Sequence, residues 1–312
     1  MKKLILSAAV ALMLLPATIH AQTPVWQGKG RIAVSSDGNK HDSDDWSATA
    51  MTLALIASQG MQHDLSLYVY SDHVWGSGAW KPHGLSPYEH MRESALGGKE
   101  RFGFDNTLFV CGVDNPEVAY NTMAAEINKS SEENPLIIIA AGPMQVVGEG
   151  LNRADVAKRQ YVTVISHSWW NNEHSDWWSD DIDRPFPSVK ELAGDKHSGW
   201  TFDEMVEAFE NKEGGSTKFI QIVDQNGGDD YEGLVGPFAR FEWLLTSEGL
   251  RNTKLREDWV WLYTRLLAHT HIPNGKFDVS DAGMVVYMLT GVEKTNLDML
   301  REMMVSQIKV TE

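Results

Sequence analysis

The run Pro135-Leu-Ile-Ile-Ile-Ala-Ala141 limits the fold more than any other part of this 312-residue chain. A strand that is apolar at every position, without alternation, has both faces covered, which is the habit of parallel sheets flanked by helices. Other runs of strand composition stand at 30–35, 64–70, 107–111, 161–165 and 218–223. Between and after them lie helix-forming segments at 46–60, 115–129, 202–211, 254–270 and 281–290. Strands alternating with helices predict an α/β fold, a mostly parallel Rossmann-like sheet with helices on both faces. No repeat or composition break divides residues 22–312, so one domain is expected. Two stretches lack periodicity: the Gly/Pro-rich segment from Gly76 to Pro87, and 171–199, rich in Trp, Asp, Pro and Ser. Each is too long for a simple connector and reads as functional.

In parallel α/β sheets, ligands sit at the carboxyl ends of the strands. The first strand runs straight into Asp37-Gly-Asn-Lys-His-Asp-Ser-Asp-Asp45, with four carboxylates, one amide and one imidazole in nine residues. Like charges this close repel unless a cation lies among them, and hard oxygen donors suit calcium or magnesium. An EF-hand is excluded, because its sixth and twelfth positions, counted from Asp37, hold Asp42 and Ala48. Helix N-termini favour carboxylates by about 0.3–1 kcal/mol, enough to account for one or two acids but not four. A zinc hydrolase using His41 with Asp42 or Asp44 is disfavoured, since carboxylates outnumber imidazoles.

This strand, acidic turn and helix resemble the opening of the nucleoside hydrolase superfamily, whose Asp-x-Asp-x-x-x-Asp-Asp turn holds calcium. Asp44-Asp45 match the closing pair and Asp37-Gly38-Asn39 the opening, with one residue inserted and Asn39 replacing an acid. Ile137-Ile-Ile-Ala-Ala-Gly-Pro-Met-Gln145 is similar to the family's strand ending in Gly-Pro-Leu-Thr-Asn, where a backbone carbonyl binds the metal; Gln145 holds that place. Asp278-Val-Ser-Asp281-Ala-Gly resembles the turn that supplies the remote ligand, so Asp281 is the match, while Ser280 and Ala282 replace the family's His and Pro. The resemblance implies a Rossmann-like nucleoside-hydrolase fold and calcium held by Asp37, Asn39, Asp44, Asp45, Gln145 and Asp281. It further implies that Asp37, or Asp42, acts as general base. Asn171-Asn172-Glu173 is similar to the segment that holds sugar hydroxyls in that family.

Twelve tryptophans concentrate in polar surroundings, among them Trp75, Trp169 and Trp170. Tryptophan beside Asn, Glu and His suits the apolar face and polar rim of a sugar, so Trp75, Trp169, Trp170, Asn171, Asn172, Glu173 and His174 are candidate substrate contacts. His73, His167 and His174 are candidate proton donors to a leaving group. Met1-Lys-Lys, an apolar run from Leu4 to Leu15 and a small-residue stretch to Ala21 read as a secretory leader cut near Ala21, which predicts a periplasmic or secreted protein. The lone Cys111 lies in a core-like strand and allows no internal disulfide. A net charge of −16 argues against nucleic acid or an anionic membrane surface as partner. The residues together predict a calcium-dependent glycosidase, with an O-linked sugar or oligosaccharide favoured over the N-ribosyl bond of a nucleoside. The alternative is a non-catalytic, calcium-dependent carbohydrate-binding protein. A homo-oligomer is left open.

Overall fold

The computed structural model describes residues 23–38, 44–72, 84–173, 200–246, 253–268 and 275–306. Six strands form the main sheet: β1 (Arg31–Ser36), β2 (Leu65–Tyr70), β3 (Leu108–Cys111), β4 (Leu136–Ala141), β5 (Val162–Ser166) and β6 (Lys218–Gln221). Their order is β3-β2-β1-β4-β5-β6 and every neighbouring pair is parallel. This is the doubly wound Rossmann order, in which the chain builds outward from β1, returns, and builds outward again from β4. β7 (Val235–Pro237) and β8 (Lys276–Asp278) form a small antiparallel pair beyond the sheet.

The uninterrupted apolar run of β4 is explained by its position. Ile137, Ile139 and Ala141 face one hydrophobic cluster, and Leu136, Ile138 and Ala140 face another across the sheet. The second cluster is closed by α3 (Pro116–Asn128), α4 (Gln145–Arg153) and, after the short α5 (Val156–Arg159) and α6 (Trp169–Glu173), by α7 (Phe202–Phe209). The first is built round α1 (Asp44–Ser58). That helix packs against α2 (Pro87–Phe102), α8 (Thr253–Leu267), α9 (Ala282–Thr290) and α10 (Leu297–Ser306). Every residue from Asp45 to Ile56 is buried, so α1 is enclosed on all sides, and its polar Ser47, Thr49 and Thr52 are buried with the apolar residues. Its N-terminal acids are thereby fixed in space.

Helix α2 was not expected, because Gly84 and Pro87 read as part of a loop. Ser86 and Glu89 form a reciprocal capping box with Pro87 in the first turn. The two glycines allow close contact: a Cβ on Gly98 would meet Leu53 of α1 at 2.6 Å, and one on Gly97 would meet Trp261 of α8 at 2.7 Å. β6 is shorter than the expected 218–223, and α4, α10 and the β7/β8 pair were also unanticipated. The expected secretory leader lies outside the described residues. Among the described residues, no helix is long and apolar enough to cross a membrane.

Gly150 in α4 tests the packing between α3 and α4. Helix propensity alone predicts a gain of up to about 1 kcal/mol for Gly150→Ala. A Cβ there, however, would lie 2.8 Å from the Cβ of fully buried Met123. The substitution is expected to destabilise by about 1–3 kcal/mol through overpacking, read as a lower urea midpoint; an unchanged or raised midpoint would reject this account of the interface.

Candidate active site

Four chain segments converge on one cleft of about 400 Å³ at the carboxyl ends of the strands. The β1 exit and the start of α1 contribute Asp37, Asp44 and Asp45; the β5 exit contributes His167, Ser168, Trp169, Trp170 and Asn171. Asp224 and Asn226 come from the β6 exit, and Asp278, Ser280 and Asp281 from the turn between β8 and α9. The cleft therefore lies near the junction of β1 and β4, where the winding of the sheet reverses and doubly wound folds bind their ligands.

Each group is placed by local chemistry. The Asp37 N–H donates to the Ala141 carbonyl at 3.3 Å, which extends the β1/β4 ladder by one residue. Gly142 permits this approach, since a Cβ there would lie 2.8 Å from the Asp37 nitrogen. Asp44 and Asp45 occupy the first turn of α1, where the helix dipole favours negative charge. Ser168 adopts a left-handed backbone (φ 66°) that turns the chain from β5 into α6. The Ser280 N–H donates to Asp278 Oδ1 at 2.9 Å and so closes a tight turn. The Ser47 hydroxyl of α1 donates to the Asp278 carbonyl, tying this distant segment to the acidic helix end.

His167 joins two walls of the cleft. Its Nε2 lies 2.8 Å from Asp281 Oδ1. On the other side of the ring, the Gln225 N–H donates to Nδ1 at 3.3 Å and Asp224 Oδ1 stands 3.6 Å away. The first of these contacts requires a bare Nδ1, whereas the second favours a protonated one. At 3.6 Å the carboxylate acts through its charge rather than as a hydrogen-bond acceptor. Burial opposes a charged ring, yet Asp224 and Asp281 outweigh it and lift His167 to about 9. Burial also works against the Asp224 carboxylate, which His167 and the Asn226 amides nonetheless hold at about 2. Asp278 is pushed up, first by burial and further by neighbouring Asp281. Fully buried Gln225 locks the β6 exit in place: its amide donates to the Val223 and Glu293 carbonyls and accepts from the Thr295 hydroxyl.

Of the residues expected from sequence, the cleft brings together Asp37, Asp44, Asp45, Asp281, His167, Trp169, Trp170 and Asn171. Trp169 is 62% exposed at its rim. Asn172 is buried and accepts the Ser166 hydroxyl at 2.6 Å; it does not line the cleft. Gln145 also does not line it: it opens α4, and its side chain accepts the Trp200 N–H at 2.8 Å. Glu173 ends α6. Asn39, His41, Asp42, His73, Trp75 and His174 lie outside the described residues. Asp224, Asn226 and Asp278 were given no role from sequence, although Asp224 and Asn226 stand at a strand exit and Asp278 within the turn matched to the family.

Six carboxylates and one imidazole face the cleft, and no Lys or Arg does so among the described residues. Among those residues, no three His, Cys, Asp or Glu side chains are grouped closely enough to hold an ion as they stand. The donors are nevertheless all hard oxygens apart from His167, whose Nε2 is engaged by Asp281. That chemistry suits a hard cation such as calcium or magnesium better than a softer metal.

No protein family model matches the chain. It is similar to uncharacterized protein P22 of Formosa agariphila, with 26% identity over 281 residues that cover 87% of each protein.

Because burial penalises the charge of Asp278, its amide analogue should relieve the folded state while keeping the acceptor for Ser280. In chelator, Asp278→Asn is expected to raise the thermal midpoint by about 2–4 °C, the shift ~1 kcal/mol produces in a domain of this size. A lower midpoint would show that the carboxylate is stabilising where it stands.

Proposed function

We propose that this cleft is the active site of an exported, calcium-dependent glycosidase on a nucleoside-hydrolase-like scaffold. One observation carries the reading: Asp281, from near the end of the chain, lines the same cleft as Asp37, Asp44 and Asp45. The resemblance in sequence requires that juxtaposition, and composition alone gives no reason for it. Asp37, Asp44, Asp45 and Asp281 would hold the ion, with Asn39 from the turn between them; Gln145, off the cleft, is not needed for this set. Calcium, when bound, supplies Lewis acidity that orients a vicinal diol and makes a nearby water more acidic.

The remaining roles belong to the chain's own groups. Asp37, 2% exposed and fixed by the β1/β4 ladder, takes the proton of the attacking water, and the departing oxygen takes a proton from a general acid, for which His73 and His174 are the candidates with no other assigned task. The carboxylates that stay ionised stabilise the positive charge that develops at the anomeric carbon. Trp169 offers an exposed indole face to a sugar ring, and Asn171 an amide to its hydroxyls. An aromatic rim on an acidic cleft suits a sugar or oligosaccharide, with an O-linked leaving group favoured over a nucleobase.

Sugar release from nucleosides, aryl glycosides and neutral oligosaccharides tests the reading directly. Wild-type protein with calcium is expected to turn over at least one of these classes, and Asp37→Ala to lower kcat by about 10²–10⁴-fold, the usual share of a general base. Chelation is expected to lower the thermal midpoint and added calcium to restore it. Sugar binding without turnover would replace the enzyme with a carbohydrate-binding protein, and indifference to both calcium and sugars would reject the proposal.

A further inference from the structure

His167 stands in the cleft as a candidate proton donor, but its surroundings suit another task. The ring is 1% exposed. Both nitrogens face protein groups: Nε2 faces Asp281 Oδ1 at 2.8 Å, and Nδ1 receives the Gln225 N–H at 3.3 Å. A general acid needs a nitrogen directed at the substrate, and this ring has none to spare. Its two partners come from the β6 exit and the β8–α9 turn, and His167 itself from the β5 exit, so one ring connects three segments distant in sequence. The Asp224 carboxylate supports the ring from the β6 side and is itself braced by the Asn226 N–H and Nδ2, both donating to Oδ1 at 3.0 and 2.8 Å.

We infer that His167 is a positioning residue: its Nε2–H holds Asp281 Oδ1 and so presents the other carboxylate oxygen of Asp281 to the cleft. This rests on the reading of Asp281 as a calcium ligand but makes a separate claim, about the proton on Nε2 and the orientation of one carboxylate. Nε2 carries that proton whether or not Nδ1 is also protonated, so the role does not depend on the charge of the ring. Hydrogen-bonding partners behind a metal ligand fix its orientation, and their loss commonly costs 10–100-fold in metal affinity. Gln places its amide nitrogen where His places Nε2, whereas Asn places it nearer Nδ1. The three substitutions therefore separate donation to Asp281 from mere filling of space.

Calcium titration by calorimetry, with thermal unfolding in chelator as the control for folding, tests the role. His167→Ala and His167→Asn are expected to weaken calcium binding 10–100-fold, and His167→Gln to stay within a few-fold of wild type. Equal losses in all three, or losses of thermal midpoint with unchanged calcium affinity, would overturn the positioning role and leave packing alone. Long-range ¹⁵N–¹H spectra of the metal-free protein judge the hydrogen bond independently. A protonated Nε2 whose proton resonance shifts in Asp281→Ala supports it, and a bare Nε2 overturns it. Wild-type protein that binds no calcium but shows this protonated Nε2 would sink the calcium reading and leave the clamp on Asp281 standing.

Discussion

Carboxylate repulsion at the point where the sheet reverses is the constraint on which this site depends. Two like charges about 4 Å apart near a protein surface repel by ~4 kcal/mol, and by about half as much at twice that distance. The N-terminus of α1 returns only about 0.3–1 kcal/mol per favourable charge. Hydrogen bonds from Ser280 to Asp278, from Asn226 to Asp224 and between His167 and Asp281 each moderate one of the acids without removing its charge. A chain can keep such an arrangement only where burial prevents the groups from moving apart or a cation neutralises them. Burial supplies the first condition, since α1 is buried from Asp45 to Ile56. Calcium would supply the second.

The rigidity comes from contacts behind the cleft and not from the cleft itself. α1 cannot slide because α2, α8, α9 and α10 surround it. The β8–α9 turn cannot drift because Ser47 holds the Asp278 carbonyl from α1 and His167 holds Asp281 from β5. The β6 exit cannot separate from that turn because Gln225 is bonded to the chain before α10, and a Cβ on Gly283 would strike Gln225 at 2.4 Å. Polar groups buried in this way are costly to leave unpaired, so each bond both satisfies its partners and fixes an acid. The same interactions that give the fold its shape thus keep like charges together.

The sheet was legible in the sequence because periodicity and burial are nearly the same information there. The apolar alternation of β4 between two clusters is visible as a run of Leu, Ile and Ala, and α1 as a long apolar segment closed by Gly60. Asp37, Asp44 and Asp45 were legible for a different reason, since strand exits in such sheets are where polar side chains face ligands, whereas Asp281 was reached only through the resemblance of its turn to the nucleoside hydrolase pattern. Helix α2 was missed because the loop reading of Gly76 to Pro87 ran over its start; its Gly97 and Gly98 serve contact with Trp261 and Leu53, and a contact of that kind leaves no trace in propensity. Gln145 was matched by spacing alone. It opens α4 and does not line the cleft; its side chain meets Trp200, which does not bear on the backbone carbonyl that the match invokes. Asp224 could be named as a strand-exit residue but given no role, because its importance lies in a partner, His167, far from it in sequence.

Ser280 shows how the site departs from the scaffold it resembles. In the nucleoside hydrolase pattern that position commonly carries a histidine beside the remote aspartate; here it is a buried serine whose N–H serves Asp278. An imidazole does reach Asp281, but it arrives from the β5 exit and points both nitrogens at the protein. The histidine chemistry next to the remote acid is therefore turned inward, toward holding the carboxylate, and away from any departing group. Trp169 and Trp170 face the cleft from the same β5 exit. An O-linked leaving group needs a proton at least as much as a nucleobase does, so with His167 turned inward that proton must come from another group, His73 or His174 being the other candidates the sequence offers. The inward histidine and the outward tryptophan arise two residues apart: the first braces an acid of the cleft, and the second offers the cleft an exposed indole face.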